Sequence, residues 1–420
     1  MRLLVTQNTN WAKVYQLNGL MTLWRKFKNT NNYLILFPDC VLSLNKDFGS
    51  PSPVFLRDGG YLRPGAGGAI SFRRSETVLI ACPGARRHIV LGNTSTSYAY
   101  LEAHCIINNT FRVDRWIGQF KDIRCNSQPW FTSEDTRHNH GHGRTEVVDV
   151  LVVGYKIKGI MHSLYEACFD EDLIHTYYVK HALTPSSRYI QSGVGRPAFI
   201  EGGLFGKVKM SPLYKLENQK RTLNDILGNK TNDMYITKKH YLTRGHLAAR
   251  ADFTLSAATR ATFHFVNTMP QWNDNNSGDW GSLEESLRQR VQALNTTVTV
   301  YTGGHGVMTL PDEGGKHRQL YLGVDANNNG IVPVPMYLFK LVYDPRTKKA
   351  VAFLTINSSF YNNTIINELA FCDDVCYENP KYSWLTWRHR NGVHSFCCDY
   401  DEFASKIAYL PKIDVEGLFC

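Results

Sequence analysis

The chain has 420 residues, 43% hydrophobic and 20% charged, with 47 Lys and Arg against 37 Asp and Glu for a net charge of +10 and a pI near 9.0. That length is more than a single core normally organises, and the apolar fraction suffices to bury two. No stretch approaches the ~20 apolar residues of a spanning helix, which excludes a helical membrane protein. The positive balance suits a polyanionic partner, because each neutralised phosphate releases counterions, but it does not single one out.

Residues 1–38 are basic, asparagine-rich and poor in long apolar runs, and are read as disordered or as a misassigned start. The run Tyr-Leu-Ile-Leu-Phe at 33–37 is too short for the apolar region of a secretion signal and meets Pro38 at once. Residues 39–165 are glycine-rich, with short apolar stretches at 77–82 and 147–154. They predict strands separated by turns, hence a small β-rich accessory domain. His138, His140 and His142 alternate within that segment. Glycine-bearing histidine tracts are typically surface loops, and zinc ligands need spacings that a turn or helix can converge, so the loop is preferred to a metal site.

In the remaining 166–420, chemistry concentrates between 241 and 288. Cutting a phosphodiester needs a base for the attacking water and a cation against the developing charge. His246 is the candidate base. It follows Gly245, whose missing side chain would open the backbone to a phosphate, and lies near Arg244, a bidentate phosphate partner. A lone histidine is more often an ordinary core or surface residue, so the neighbouring pattern has to distinguish this one.

Ser282 and Glu285 have capping-box spacing, and Leu283, Leu287, Val291 and Leu294 recur at helical intervals, predicting a helix over 282–295. Begun earlier, near Asp274, that helix would carry Asn276, Trp280, Glu284 and Arg288 as one stripe, with Gly278 and Gly281 weighing against the extension. An amide oxygen suits Mg²⁺, which takes few protein ligands and keeps most of its waters. A solvated Glu284–Arg288 ion pair is the bland alternative. Trp272 and Trp280 offer stacking faces, although Trp280 reads better as core. The β-branched run at 297–301 and the alternation at 337–343 predict strands.

Ten cysteines point to an oxidising compartment. Adjacent Cys397 and Cys398 are poorly placed to join each other and should bond outward to Cys372 and Cys376, with a thiolate zinc site as the rival reading. Cys40, Cys82, Cys105, Cys125 and Cys168 are expected to staple the N-terminal domain and tie it to the rest, with Cys420 completing the even count. Asn-x-Ser/Thr tripeptides at Asn93, Asn108, Asn229, Asn295, Asn357 and Asn362 suit a secreted chain. Asn275 is one too, but is expected to be unmodified beside Asn276.

Three blocks, Thr-Arg-Gly-His at 243–246, Phe-Val-Asn-Thr-Met-Pro-Gln at 265–271 and Asn-Ser-Gly-Asp-Trp at 276–280 followed by Glu284 and Arg288, resemble in this order the DNA/RNA non-specific endonucleases of the ββα-metal class. The closest likeness is to the secreted arthropod-type duplex-specific and double-stranded-RNA-degrading branch, and it extends over about 169–409. The resemblance implies an α+β fold in which a ββα-metal nuclease domain, a central antiparallel sheet with flanking helices, occupies 166–420. It implies Asn276 as ligand of Mg²⁺, with Mn²⁺ as the alternative ion, and His246 as general base. It also implies that Asn267 steadies the histidine and Glu284 orders the ion's waters. Arg288 would contact phosphate, joined by Arg244 and by an upstream arginine for which Arg196 is preferred over Arg188. The activity implied is hydrolysis of DNA, RNA or both to 5′-phosphate and 3′-OH ends. Thr243 stands where the signature carries aspartate. A catalytically weak extracellular nucleic-acid-binding or uptake protein, and an extracellular metalloprotein on the same scaffold, are the alternatives.

Overall fold

The computed structural model describes residues 39–65, 67–136, 149–228, 232–327, 329–358, 360–387 and 394–420, with backbone pairing also between Gln16–Leu17 and Leu20–Met21. Beyond that pairing, the expectation for 1–38 lies outside the described residues, as do the whole histidine tract at 138–142 and the sequon at Asn229.

Alternating apolar residues build a β-rich N-terminal domain. Its largest sheet runs Trp116–Gln119, Thr110–Val113, Tyr100–Ile107, Thr77–Ala81, Val54–Arg57 and Gly60–Tyr61, each strand antiparallel to the next. One face buries Val78, Ile80, Ala103 and Phe111 against Phe55, Phe72 and Phe120, and the Phe111 ring meets Phe72 and Phe120 edge-on, the latter at 4.7 Å. Disulfides Cys40–Cys105 and Cys82–Cys125 cross-link this core.

The C-terminal domain is organised by a second sheet in the order Thr132–Asp135, Asp149–Ile157, Ile160–Asp170, His175–Leu183, Val298–Val307, Pro335–Asp344, Lys349–Ile356 and Ser395–Cys398, antiparallel throughout. Gly417–Leu418 adds a short parallel pairing to Lys349–Ile356. The apolar runs at 297–301 and 337–343 become central strands of this sheet. The run at 147–154, expected in the accessory domain, contributes Asp149–Ile157 to it instead, and the expected boundary between 165 and 166 falls inside the strand Ile160–Asp170. An apolar strand announces that it will be buried; which sheet buries it is decided by long-range pairing.

Nested disulfides Cys372–Cys398 and Cys376–Cys397 staple the segment before Ser395–Cys398 to its strand. Adjacent cysteines on a strand point to opposite faces and so bond outward in two directions. The thiolate zinc alternative is therefore replaced by two disulfides, with the Asp374 carboxylate accepting the Cys376 and Cys397 amides. Cys168 and Cys420 lie outside any disulfide, so the two domains are joined by packing and hydrogen bonds rather than by the expected Cys168 link. Asn357 is fully buried, its amide nitrogen donating to the Pro270 and Pro335 carbonyls, so the folded chain cannot carry a glycan there. The Asn275 amide nitrogen likewise donates to the Ile356 carbonyl.

Candidate active site

The site is built on a two-stranded hairpin, Leu242–His246 against Thr268–Trp272, followed directly by helices Asn273–Ser277 and Asp279–Leu294. Two strands and a helix thus come from one continuous stretch. The long helix starts earlier than the capping-box spacing implies, at Asp279, and is separated from the short one by Gly278. Gly278 adopts φ −93°, ψ −117°, which breaks the continuous stripe while leaving Asn276 and Glu284 on the same cleft.

That cleft, about 550 Å³, is lined by Arg196, Thr243, Arg244, His246, Asn276 and Glu284, together with Phe199, Arg250 and Phe263. Five of the seven residues expected from sequence meet here. Asn267 and Arg288 do not line the wall; they act behind it. Arg196 faces the cleft, whereas its competitor Arg188 pairs with Glu285 at 3.4 Å.

His246 ends its strand between the rings of Phe199 and Phe263, at 5.1 and 5.0 Å. Burial, reinforced by the positive charges of Arg196 and Arg250, lowers its pKa to about 3, so the ring is neutral at physiological pH. Its Nε2 is buried with no hydrogen-bond partner among the described residues. Asn267 is fully buried behind it. Its Oδ1 accepts the Ala248 amide at 2.8 Å and its Nδ2 donates to the Ala248 and Thr262 carbonyls at 3.0 Å, locking the backbone immediately after the histidine.

Gly245 also serves the hairpin: a Cβ there would collide with the Gln271 side chain on the paired strand, so packing requires glycine. Arg244 stacks its guanidinium over Phe199 and Tyr214, at 5.5 and 5.6 Å, which holds a flexible cation at the cleft wall.

Asn276 donates its Nδ2–H to Thr243 Oγ1 at 3.0 Å, and that hydroxyl in turn donates to the Gln271 carbonyl at 2.9 Å. The chain fixes the amide: with nitrogen committed, Oδ1 is its remaining ligand atom. An amide whose nitrogen is committed to Thr243, on a cleft that also holds the Glu284 carboxyl, offers oxygen atoms of the kind Mg²⁺ takes. Thr243, in the signature's aspartate position, therefore has a defined structural task.

Arg288, placed on phosphate by the resemblance, is 6% exposed, its Nη1 and Nη2 each 2.9 Å from Asp252 and Glu285. Asp252 also accepts from His181 Nε2 at 2.9 Å. Behind Glu284 sits Lys340, 1% exposed, donating to Thr302 Oγ1 at 2.8 Å and lying 5.4 Å over the Trp280 ring. Burial raises the Glu284 carboxyl to about 7, against the pull of Lys340 and Arg288, with Asp252 adding to the rise. Asp252 is instead held down at about 2, where its hydrogen bond from His181 and the Arg288 charge outweigh burial. Asp252, His181 and Lys340 escaped sequence reasoning. The signal for Lys340 was present as a lone charge within the apolar strand at 337–343, which only a buried partner explains. Trp272 and Trp280 are core residues, 1% and 2% exposed, and are not stacking platforms.

The sequence profile described as DNA/RNA non-specific endonuclease matches residues 149–403. A protein named Salivary endonuclease from Lutzomyia longipalpis is 26% identical over 94% of this chain and 88% of its own length. Salivary protein Tsal2A from Glossina morsitans morsitans is 24% identical over 83% of this chain and 85% of its own. Human mitochondrial Nuclease EXOG is 28% identical over 30% of this chain and 33% of its own length.

Proposed function

The chain belongs to the DNA/RNA non-specific endonuclease family and is a nuclease, and we propose that it is a secreted, Mg²⁺-dependent enzyme that hydrolyses DNA, RNA or both with His246 as general base. One observation carries this reading: a neutral imidazole, an oriented amide, a carboxylate and two arginines share a single cleft. Asn276 would hold the ion and Glu284 would accept hydrogen bonds from its hydration shell, and the bound cation would supply charge against the reacting phosphate and the departing O3′.

A ring nitrogen of His246 takes the proton as water forms its bond to phosphorus and the P–O3′ bond breaks, and the departing O3′ takes a proton from solvent, leaving 5′-phosphate and 3′-OH ends. The phosphodiester seats between Arg196 and Arg244, and its charge offsets the cationic field that, after burial, depresses His246. Substrate binding thus strengthens the base at the moment it is needed. Attack by water makes no use of a ribose 2′-OH, so both sugars are eligible. Four disulfides and salivary relatives support secretion.

Digestion of plasmid DNA and duplex RNA with Mg²⁺ or with EDTA, followed by end-group analysis, tests the proposal. Cleavage that needs the metal and leaves 5′-phosphates is expected. Binding without cleavage by the folded protein would favour the uptake alternative.

A further inference from the structure

We propose that the N-terminal domain is an intramolecular clamp that positions Arg196 in the catalytic cleft, a role that rests on reading Arg196 as a contact to substrate phosphate. The segment 189–200 crosses from the domain boundary to the cleft and is mostly solvent-facing, with Gly193 at φ +73° and a second glycine at 195. Left to itself, so glycine-rich a stretch would not hold a long cationic side chain in one place.

The structure pins the part of it that leads into Arg196. The Tyr189 hydroxyl accepts from the Gly67 amide of the N-terminal domain at 3.1 Å and from Gln292 Nε2 of the long helix at 2.8 Å. A Cβ at Gly68 would stand 2.7 Å from the Tyr189 ring, so the turn around Gly68 lies flat on it. Three residues on, the Ser192 amide donates to Asn45 Oδ1 at 2.8 Å, four positions before Arg196. On the nuclease side, Gln191 exchanges hydrogen bonds with Thr254 and Ser256, and Arg250 donates to the Val194 carbonyl. Leu255, beside those anchors, is buried in the N-terminal core, so the two domains hold the segment from opposite sides. Preorganisation of this kind removes the ordering cost from substrate binding.

Tyr189→Phe and Asn45→Ala each remove clamp hydrogen bonds without touching the cleft. Steady-state kinetics on duplex substrate should show each lowering kcat/KM about threefold to tenfold, through KM more than kcat. A double-mutant cycle decides the matter. In an Arg196→Ala background the same changes should have no further effect. Equal losses in both backgrounds would overturn the clamp while leaving the phosphate role of Arg196 intact. Wild-type kinetics for Arg196→Ala would instead overturn that role and the clamp with it. Hydrogen exchange gives a readout that does not depend on activity: amides of 189–196 should exchange faster in Asn45→Ala, and unchanged protection there would overturn the proposal.

Discussion

Replacing Arg288 with methionine separates two roles that the resemblance and the geometry assign differently. The guanidinium has one buried partner, Asp252, whose side chain is 5% exposed, and one solvated partner, Glu285, at 43%. The solvated pair is worth at most about 1 kcal/mol. Methionine keeps most of the volume but leaves the buried Asp252 carboxylate with His181 as its hydrogen-bond partner and Lys340 as a nearby cation. Orphaning one partner of a buried pair costs about 3–5 kcal/mol. For a domain of this size each kcal/mol moves the unfolding midpoint by about 2–4 °C, so Arg288→Met should melt roughly 6–20 °C lower. The double variant Asp252→Asn/Arg288→Met should regain much of that loss, because the uncompensated charge is gone. Scanning calorimetry on the three variants, alongside KM as a function of salt, is the assay. An unchanged midpoint with a raised KM and a flatter salt dependence would mean that Arg288 reaches phosphate after all and that the buried network is not its task.

His246→Ala should lower the cleavage rate about 10²–10⁴-fold while leaving nucleic-acid affinity nearly intact, measured by single-turnover kinetics and anisotropy in EDTA. Asn276→Ala should weaken Mg²⁺ binding in calorimetric titration and be rescued in part by high Mg²⁺; Thr243→Val should weaken it less and Thr243→Ser hardly at all, since only the hydroxyl orients the amide. Burial holds His175, His246 and His264 near pKa 4, 3 and 4. The unfolded chain takes up these protons from about pH 6.5 downward and the folded chain does not, so their effect is absent above 6.5 and stability falls as pH drops from there toward 4, as urea midpoints across that range should record. Reduction should open Cys372–Cys398 and Cys376–Cys397, nested loops of 26 and 21 residues, and cost about 3 kcal/mol for one and less for the other, whose loop the first already shortens. Non-reducing peptide mapping that found a different pairing would contradict this arrangement.

The sequence alone carried what is encoded at short range. Histidine, buried asparagine and candidate metal ligand lie within 31 positions of one another, at 246, 267 and 276, on one hairpin and the helices after it. Local periodicity and turn residues determine such a unit, and the adjacency of Cys397 and Cys398 dictates outward bonding in the same local way. Tertiary structure decided which charges were to be buried. His181, Asp252, Arg288 and Lys340 are brought together across as many as 159 positions by the packing of the long helix on the central sheet, and no spacing rule reaches that far. It also assigned the strand Asp149–Ile157 to the nuclease sheet, turned Arg188 to Glu285 and Arg196 to the cleft, and made Gly245 a matter of contact with Gln271. A strand's apolar face and an arginine's charge are properties of the residue, but their partners depend on which surfaces the whole chain can close against one another, and that is settled only when the two cores form.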